Sequence, residues 1–505
     1  MFNPKNISAA QASSYYKLDD YYSEKASVPA RVMGAAAGRL GLAGKYDSAK
    51  FNSALRGQYP MGDVAQANRP SLKRAGLDCV LSAPKSVSIE AVVYGNQSVV
   101  DAHEAAVDAA MREVEALIVA RVTAGFITLN VPARIAYVSF RHETSRAVGS
   151  DLPDPNLHNH NVILKQVLVS DEKGNEKLYA LNNQEIIAAQ KMLGAVYKQH
   201  LAMELQRLGY SLLMTRDGFE LAGYSKSCLD LFSKRKGQVD KNLREQNLDR
   251  STATAKQREA AALKGRQAKR TFSHAEMREG WLRQLGMFHS QIKSPAQVQG
   301  AQAPLPSDSQ LLAPSWIGSK ILGTYNASEA VSSALKHFGQ RHAVIRNRYK
   351  LVEFAIHAAE YSVTKAEIEK EIDKCLTDGR LVFGRNGSTL VLGAALEDEK
   401  ALDAAYLQGR SVFDAISTAD VAYEAITLLQ HSLANRRCAD AERTLGRKLF
   451  ANEAEALTGQ FTEGQRQMIL RIAQSEDRFN VFTGDAGTGK STAMEAAKDL
   501  LELIP

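Results

Sequence analysis

His158-Asn159-His160 stands directly ahead of an apolar, β-branched run from Asn161 to Val169. The run lacks helical periodicity and reads as a strand, and side chains at i and i+2 on a strand share a face. The fold must therefore present two imidazoles side by side on one face of a sheet and turn Asn159 the other way. Asp154-Pro155-Asn156, just upstream, supplies turn chemistry, which places the pair at a strand entrance where a ligand can reach it. His142, beyond a strand expected from Ile135 to Phe140, is a third candidate. On adjacent antiparallel strands, three neutral imidazoles leave coordination positions open for water or a phosphate oxygen. That suits Lewis-acid catalysis better than a closed structural site. Ordinary hydrogen-bonded histidines are the alternative for an H-x-H pattern taken by itself.

Another strand is expected from Leu77 to Leu81, where Asp78 interrupts an apolar sequence. A buried carboxylate without a partner is costly. Asp78 should therefore meet the second nitrogen of a ligating histidine or a tyrosine hydroxyl, or else be a structural aspartate bonded to backbone. Apolar spacing predicts amphipathic helices from Val99 to Val122 and from Asn183 to Leu208, the second stopped by Gly209. Strands without alternation, mixed with helices, predict an α+β layer fold. At 505 residues the chain exceeds what one core supports, so two or three domains are expected.

A net charge of +7 with pI near 9.0 favours a polyanionic partner. Cys79, Cys228, Cys375 and Cys438 are scattered, with no C-x-x-C pair, which argues against a disulfide framework or a cysteine zinc site. They fit a reducing cytosol. The N-terminus lacks a secretory signal pattern, and no apolar run reaches about 18 residues, so a soluble cytoplasmic protein without membrane insertion is expected.

Tyr15-Tyr16 and Tyr21-Tyr22 flank Asp19-Asp20. Such hydroxyls become nucleophiles when a metal or base helps remove the proton, although aromatics at this spacing also serve to pack a helix. From Phe232 to Arg270 the chain turns basic, with Lys234, Arg235, Lys236, Arg258, Lys264 and Arg266 on expected helices. This is either a solvated face or a phosphate-tracking surface. A linker rich in Pro, Gln, Ser and Ala follows from Lys293 to Ser315. Thr364 and Glu367 then form a capping box before a helix to about Cys375. Strands from Leu381 to Phe383 and Ser388 to Leu392 complete a winged-helix-like pattern.

Taken in order, the two tyrosine pairs, Leu81-Ser82-Ala83-Pro84-Lys85-Ser86-Val87-Ser88, Arg141-His142-Glu143-Thr144-Ser145-Arg146 and His158-Asn159-His160 closely resemble the MobF conjugative relaxases. Val196-Tyr197-Lys198-Gln199 and Phe232-Ser233-Lys234-Arg235 extend the resemblance over about the first 290 residues. It implies an HUH endonuclease fold, in which a central antiparallel sheet carries a histidine-bound metal and a mobile C-terminal region closes over single-stranded DNA. It further implies that Tyr15 nicks a plasmid transfer origin, leaving a 5′-phosphotyrosyl strand, with Tyr16, Tyr21 and Tyr22 as accessory tyrosines. His142, His158 and His160 would be the metal triad, holding Mg²⁺ or Mn²⁺. Asp78 would orient a ligand histidine or accept the tyrosine proton. Asn159 stands where the family frequently has threonine; facing away from the site, it is expected to matter little. Relaxosome accessory proteins and a type IV secretion coupling protein are the implied partners beside origin DNA.

Gly484-Asp485-Ala486-Gly487-Thr488-Gly489-Lys490-Ser491 matches a P-loop, expected after a short strand ending near Phe482. Backbone amides would cradle phosphates, Lys490 would reach the outer phosphates, and Ser491 would hold Mg²⁺. Phe461-Thr462-Glu463-Gly464-Gln465 resembles the adenine-contacting motif of superfamily 1 helicases, which implicates Gln465 in ATP binding. The sequence ends at Pro505 without a Walker B carboxylate or a sheet to bury Leu500, Leu501 and Ile504. A truncated helicase start without ATP-driven unwinding is therefore expected. The expected divisions are 1–292 relaxase, 293–315 linker, 316–455 helicase-associated region and 456–505 helicase start. A rolling-circle replication initiator, a sequence-specific DNA-binding regulator and a P-loop ATPase with an accessory domain are the competing readings.

Overall fold

The computed structural model describes residues 2–11, 30–60, 65–66, 74–124, 126–145, 147–148, 151–215, 217–250, 252–264, 272–286, 325–457, 461–485 and 489–503. They form two compact bodies, Met1–Leu392 and Gly393–Pro505.

The first body is built on a five-stranded antiparallel sheet with Pro155–Leu164 at its centre. Gly76–Ser82 and Tyr137–Thr144 flank that strand, and Phe2–Ile7 and Ala30–Met33 form the edges. Successive side chains alternate between faces. Leu77, Cys79, Leu81, Leu157 and Ile163 pack under the helices Gln97–Ala116 and Gln190–Arg207. Val138, Phe140, Val162 and Leu164 pack on the other face with Leu40, Phe51 and Leu55. The first helix buries Val99, His103, Val107, Met111 and Val114, the stripe that its 3.6-residue period dictates. Five further strands make a second sheet, including the hairpin Val119–Ala124 and Ile127–Pro132.

Several boundaries differ from the sequence expectation. The run from Asn161 to Val169 belongs to two strands, Pro155–Leu164 and Gln166–Ser170, parted at Lys165 where the chain leaves the central sheet for the second one. The histidine pair thus sits inside a strand that already includes Pro155 and Asn156. His142 likewise lies within its strand, Tyr137–Thr144, instead of beyond its end. The helix expected to reach Val122 stops at Ala116, because β-branched Val119, Val122 and Thr123 pair as a strand. The helix expected from Asn183 is broken at Ala189 into Gln184–Ala188 and Gln190–Arg207.

The expected linker lies outside the described residues. Beyond it, the helices Ala327–Gly339, Arg348–Ala358 and Lys365–Thr377 stand beside a sheet of Val344–Ile345, Leu390–Leu392 and Leu381–Phe383, which is a winged-helix arrangement. Thr364 and Glu367 form the expected capping box. This segment belongs to the first body, whereas the sequence groups it with residues up to 455. Gln199 explains the union. Its buried side chain donates to the Val363 carbonyl and accepts from Lys365 N at 3.2 Å, and Lys365 Nζ reaches Glu113 at 2.9 Å.

In the second body, Ala419–Leu445, Glu463–Gln474 and Lys490–Leu503 pack through Ile426, Leu429, Ile469, Leu470 and Leu500. Leu500 is therefore buried by helices and does not wait for a sheet. The strand expected before the P-loop is not formed: the described residues of this body contain no strand, and Val481 is 81% exposed. No described helix is long and apolar enough to cross a membrane.

Burial drives the His103 imidazole down to about 3, so it folds neutral. The unfolded chain binds this proton near pH 6.5 and the folded one does not. The contribution is therefore intact above about pH 6.5 and is lost as pH falls toward about 3. His103→Gln should flatten the decline of the unfolding free energy, followed by urea titration across that window, by up to about 1.4 kcal/mol per pH unit.

Candidate active site

The central strand and its neighbour bring the three histidines together. His142 pairs with His158 across the ladder and Phe140 pairs with His160, so all three imidazoles rise from one face. Their ring centroids lie 5.3 Å (His142–His158), 5.1 Å (His142–His160) and 5.2 Å (His158–His160) apart. A bulge between His142 and Thr144, opposite Pro155, ends the regular ladder beside them. Asp78 shares the face from the strand on the other side. Its Oδ2 accepts from His160 Nδ1 at 2.8 Å, with both side chains nearly buried. This is the partner that the buried carboxylate needed.

His158 Nδ1 lies 2.8 Å from the Asn156 backbone carbonyl, which can only accept, so that nitrogen carries the proton and the Asn156 side-chain amide, 3.0 Å away, must turn its oxygen toward it. By the same logic His160 Nδ1 donates to Asp78. Both rings then expose Nε2 as the lone-pair nitrogen, with orientation fixed from behind. Burial, reinforced by neighbouring His160, pushes His158 down to about 3, so it stays neutral and able to ligate.

Sequence reasoning assigned no role to Lys85, Ser86 or Ser88, yet these side chains clamp the entry to the histidine strand. Lys85 Nζ donates to the Pro155 carbonyl at 2.7 Å, and Ser88 Oγ accepts from Leu157 N at 3.0 Å. Ser86 is tied by its Oγ and amide to Glu220, at 2.5 and 2.8 Å. Burial lowers the Lys85 ammonium to about 8, against the opposing pull of Asp154 and Glu220. The signal was present in the Leu81 to Ser88 run, but its partners Pro155, Leu157 and Glu220 are distant in sequence.

Tyr15, Tyr16, Tyr21 and Tyr22 lie outside the described residues, as do Arg266 and Gly487. The basic residues divide. Lys234 is turned inward, its amide bonded to Asp154 Oδ2 at 2.9 Å and its Nζ 3.6 Å from Asp154 Oδ1, and Asp154 is buried. Arg235 joins the two basic helices Lys234–Arg244 and Ala255–Leu263 by donating to the Ala262 carbonyl. Lys264 pairs with Glu245 at 2.7 Å. Lys236 and Arg258 are exposed. At the P-loop, Lys490 Nζ donates to the carbonyls of Gly484 and Asp485 at 2.5 and 2.7 Å. Gln465 completes the capping box of its helix and donates to the Gly489 carbonyl at 3.1 Å. Gly489 holds φ +77°, a left-handed conformation that favours glycine.

Residues 9–287 match the family model described as TrwC relaxase. The chain belongs to that family. Residues 460–503 match an AAA domain. The multifunctional conjugation protein TraI of Escherichia coli is 32% identical over 275 residues, covering 52% of this chain and 15% of TraI. The chain therefore spans only a small part of that relative's length. Among solved structures, the conjugative relaxase TrwC in complex with oriT DNA, in metal-bound form, is 33% identical with a TM-score of 0.52, covering 58% of this chain and 99% of that one. A copper-bound form of the TrwC–oriT complex matches with the same TM-score of 0.52, 33% identity and the same coverage, 58% and 99%.

The HUH architecture expected from the resemblance is the one observed in the relaxase domain, with its central antiparallel sheet, helices on the faces and histidines on one face. By its chemistry the donor set suits a metal ion, although among the described residues no three His, Cys, Asp or Glu side chains are drawn into metal-holding geometry. Two imidazoles are held in one tautomer, the third stands within 5.3 Å of both by ring centroid, and a carboxylate backs one of them.

Lys234 and Lys236 should part company on substitution. Lys234→Met leaves the buried Asp154 carboxylate short of its counter-charge and should cost about 1–3 kcal/mol in urea unfolding. Lys236→Met should leave stability within about 0.5 kcal/mol of the wild type.

Proposed function

We propose that this protein is a conjugative relaxase that nicks one DNA strand at a plasmid transfer origin by metal-dependent tyrosine transesterification. The observation that carries the reading is the convergence of His142, His158 and His160 on one sheet face, with Asp78 behind His160. Three imidazole donors leave positions for a phosphate oxygen, the arrangement of a catalytic rather than a structural site.

Tyr15 is the nucleophile by its position in the family motif. Its hydroxyl oxygen attacks the scissile phosphorus, the bond from phosphorus to the 3′ oxygen breaks, and the products are a 5′-phosphotyrosyl strand and a free 3′-hydroxyl. The tyrosine proton leaves through Asp78 or solvent, and the departing 3′ oxygen gains one. One phosphodiester replaces another, so the step needs no ATP and can run backward to rejoin. Tyr16, Tyr21 and Tyr22 are accessory, and one of the second pair serves a later strand transfer. A divalent ion, Mg²⁺ or Mn²⁺, supplies Lewis-acid polarisation of the phosphate when bound by the triad. His158 and His160 present their lone pairs, while Asp78 and the Asn156 carbonyl hold the rings in place.

Lys236 and Arg258, exposed on the basic helices, track the phosphates of single-stranded origin DNA. Lys264, paired with Glu245, extends that surface, and Arg266 is assigned to it only by its place in the basic stretch of sequence, whereas Lys234 and Arg235 support it from within. Relaxosome proteins and a secretion coupling protein are the expected partners, on the cytoplasmic side. Gln465, Gly484, Gly487, Gly489, Lys490 and Ser491 form the nucleotide site of an appended helicase segment.

The test is incubation of the protein with a single-stranded origin oligonucleotide and Mn²⁺, followed by denaturing electrophoresis. A shifted covalent band is expected. Tyr15→Phe should abolish most of it and chelation should abolish it, whereas full adduct yield in Tyr15→Phe would reassign the nucleophile. Asp78→Ala should weaken Mn²⁺ binding by about 10- to 100-fold in calorimetry, through the freed His160 ring.

A further inference from the structure

On the sheet face turned away from the histidines, the side chain of Asn159 is only 1% exposed, and both its polar atoms are engaged. Its Nδ2 donates to Ser139 Oγ at 2.9 Å and to the Glu104 carboxylate oxygens at 3.2 and 3.3 Å. A carboxylate only accepts, so the amide orientation is fixed, and Oδ1 must face His103 Nε2, 2.9 Å away. That requires a proton on Nε2. Because burial keeps His103 neutral, its Nδ1 accepts from the Tyr197 hydroxyl at 2.7 Å. Glu104 is held in turn by Arg31, whose guanidinium also forks onto Asp108 through two 2.8 Å bonds.

The array joins three strands of the central sheet to both covering helices, Gln97–Ala116 and Gln190–Arg207. Leu157 and Ile163 fill the same layer with aliphatic packing, so a polar array there is not needed to cover the sheet. A satisfied buried network fixes geometry more narrowly than aliphatic packing does. Asn159 is also the one residue between His158 and His160, and its backbone sets the pleat from which both rings project.

We propose that Asn159 is a positioning residue that sets the separation and tilt of the His158 and His160 imidazoles, and thereby the divalent-metal affinity of the site. The inference rests on the metal-centre reading above. It reverses the expectation that a side chain facing away from the site has little effect. Ligand geometry must hold within roughly 0.5 Å and 10–20° for full affinity, and a shift of the strand at Asn159 moves both rings together. His103 and Tyr197 act through Asn159, and neither ring faces the metal.

The experiment is Mn²⁺ titration of the full chain, followed by the free-Mn²⁺ electron paramagnetic resonance signal, well below the melting temperature. Asn159→Ala should weaken binding about tenfold, and in oligonucleotide cleavage it should lower kcat with little change in KM. His103→Gln keeps a donor for Asn159 Oδ1 and should bind Mn²⁺ nearly as the wild type does, while His103→Leu should bind more weakly. This pair tests the idea even if Asn159→Ala does not fold. A lowered melting temperature with unchanged Mn²⁺ affinity in Asn159→Ala, or equal affinities in the two His103 variants, would overturn the proposal and make the array purely structural. Failure of the wild-type chain to bind Mn²⁺ would overturn the metal-centre reading along with it.

Discussion

The pairing of the central strand on both of its edges is the constraint on which the site depends. Pro155–Leu164 is laddered to Gly76–Ser82 on one side and to Tyr137–Thr144 on the other. Because side-chain direction has a period of two, a slip of one residue would turn His158 and His160 into the helix layer and bring Asn159 to the site. Three interactions lock the register. Asp78 holds His160 across one edge, the Asn161 amide donates to the Cys79 carbonyl at 3.0 Å on the same edge, and Asn159 reaches Ser139 across the other. The apolar residues alone would tolerate the slip poorly; these polar pairs forbid it in both directions.

The strand entrance is held separately from its middle. Lys85 and Ser88 bind backbone groups of Pro155 and Leu157, on either side of the residue whose carbonyl orients His158. A segment that reads as a motif in sequence, helical from Lys85 to Ser88, is therefore a mechanical part of the site, fixing the strand beside the bulge. The winged-helix segment is tied in by the same kind of contact, a buried polar side chain satisfying backbone. Gln199 stands on the helix that also carries Tyr197. A single helix thus links the polar layer behind the site to the docked winged segment.

Much of this was legible in the sequence. The H-x-H pair and the apolar run after it required a strand with two rings on one face, and a carboxylate in an apolar strand required a partner; His160 is that partner. The same reasoning misplaced the ends of elements, because periodicity does not register a sheet change at one residue, such as Lys165, or a helix giving way to a strand at Val119. The basic stretch was legible as charge but not as partnership. Lys234 belongs to Asp154, 80 positions away in sequence, and only the fold brings them together. Asn159 was legible for direction, but its partners were not, since nothing near it in sequence foretells His103 or Tyr197.

Charge balance makes the site suited to phosphate. The histidines that face one another would repel if protonated, and burial removes that possibility for His158, which folds neutral. One carboxylate, Asp78, stands beside the three rings, bonded to His160. A divalent cation bound by these rings would exceed the charge of Asp78 by about one. A second carboxylate among the ligands would cancel that excess and weaken the pull on a phosphodiester. Glu104 and Asp108 lie on the far side of the sheet, where Arg31 pairs with both and Arg141 stands 3.8 Å from Glu104. The central strand therefore separates two kinds of chemistry: ion pairs that hold the scaffold on one face, and on the other three imidazoles backed by a single carboxylate.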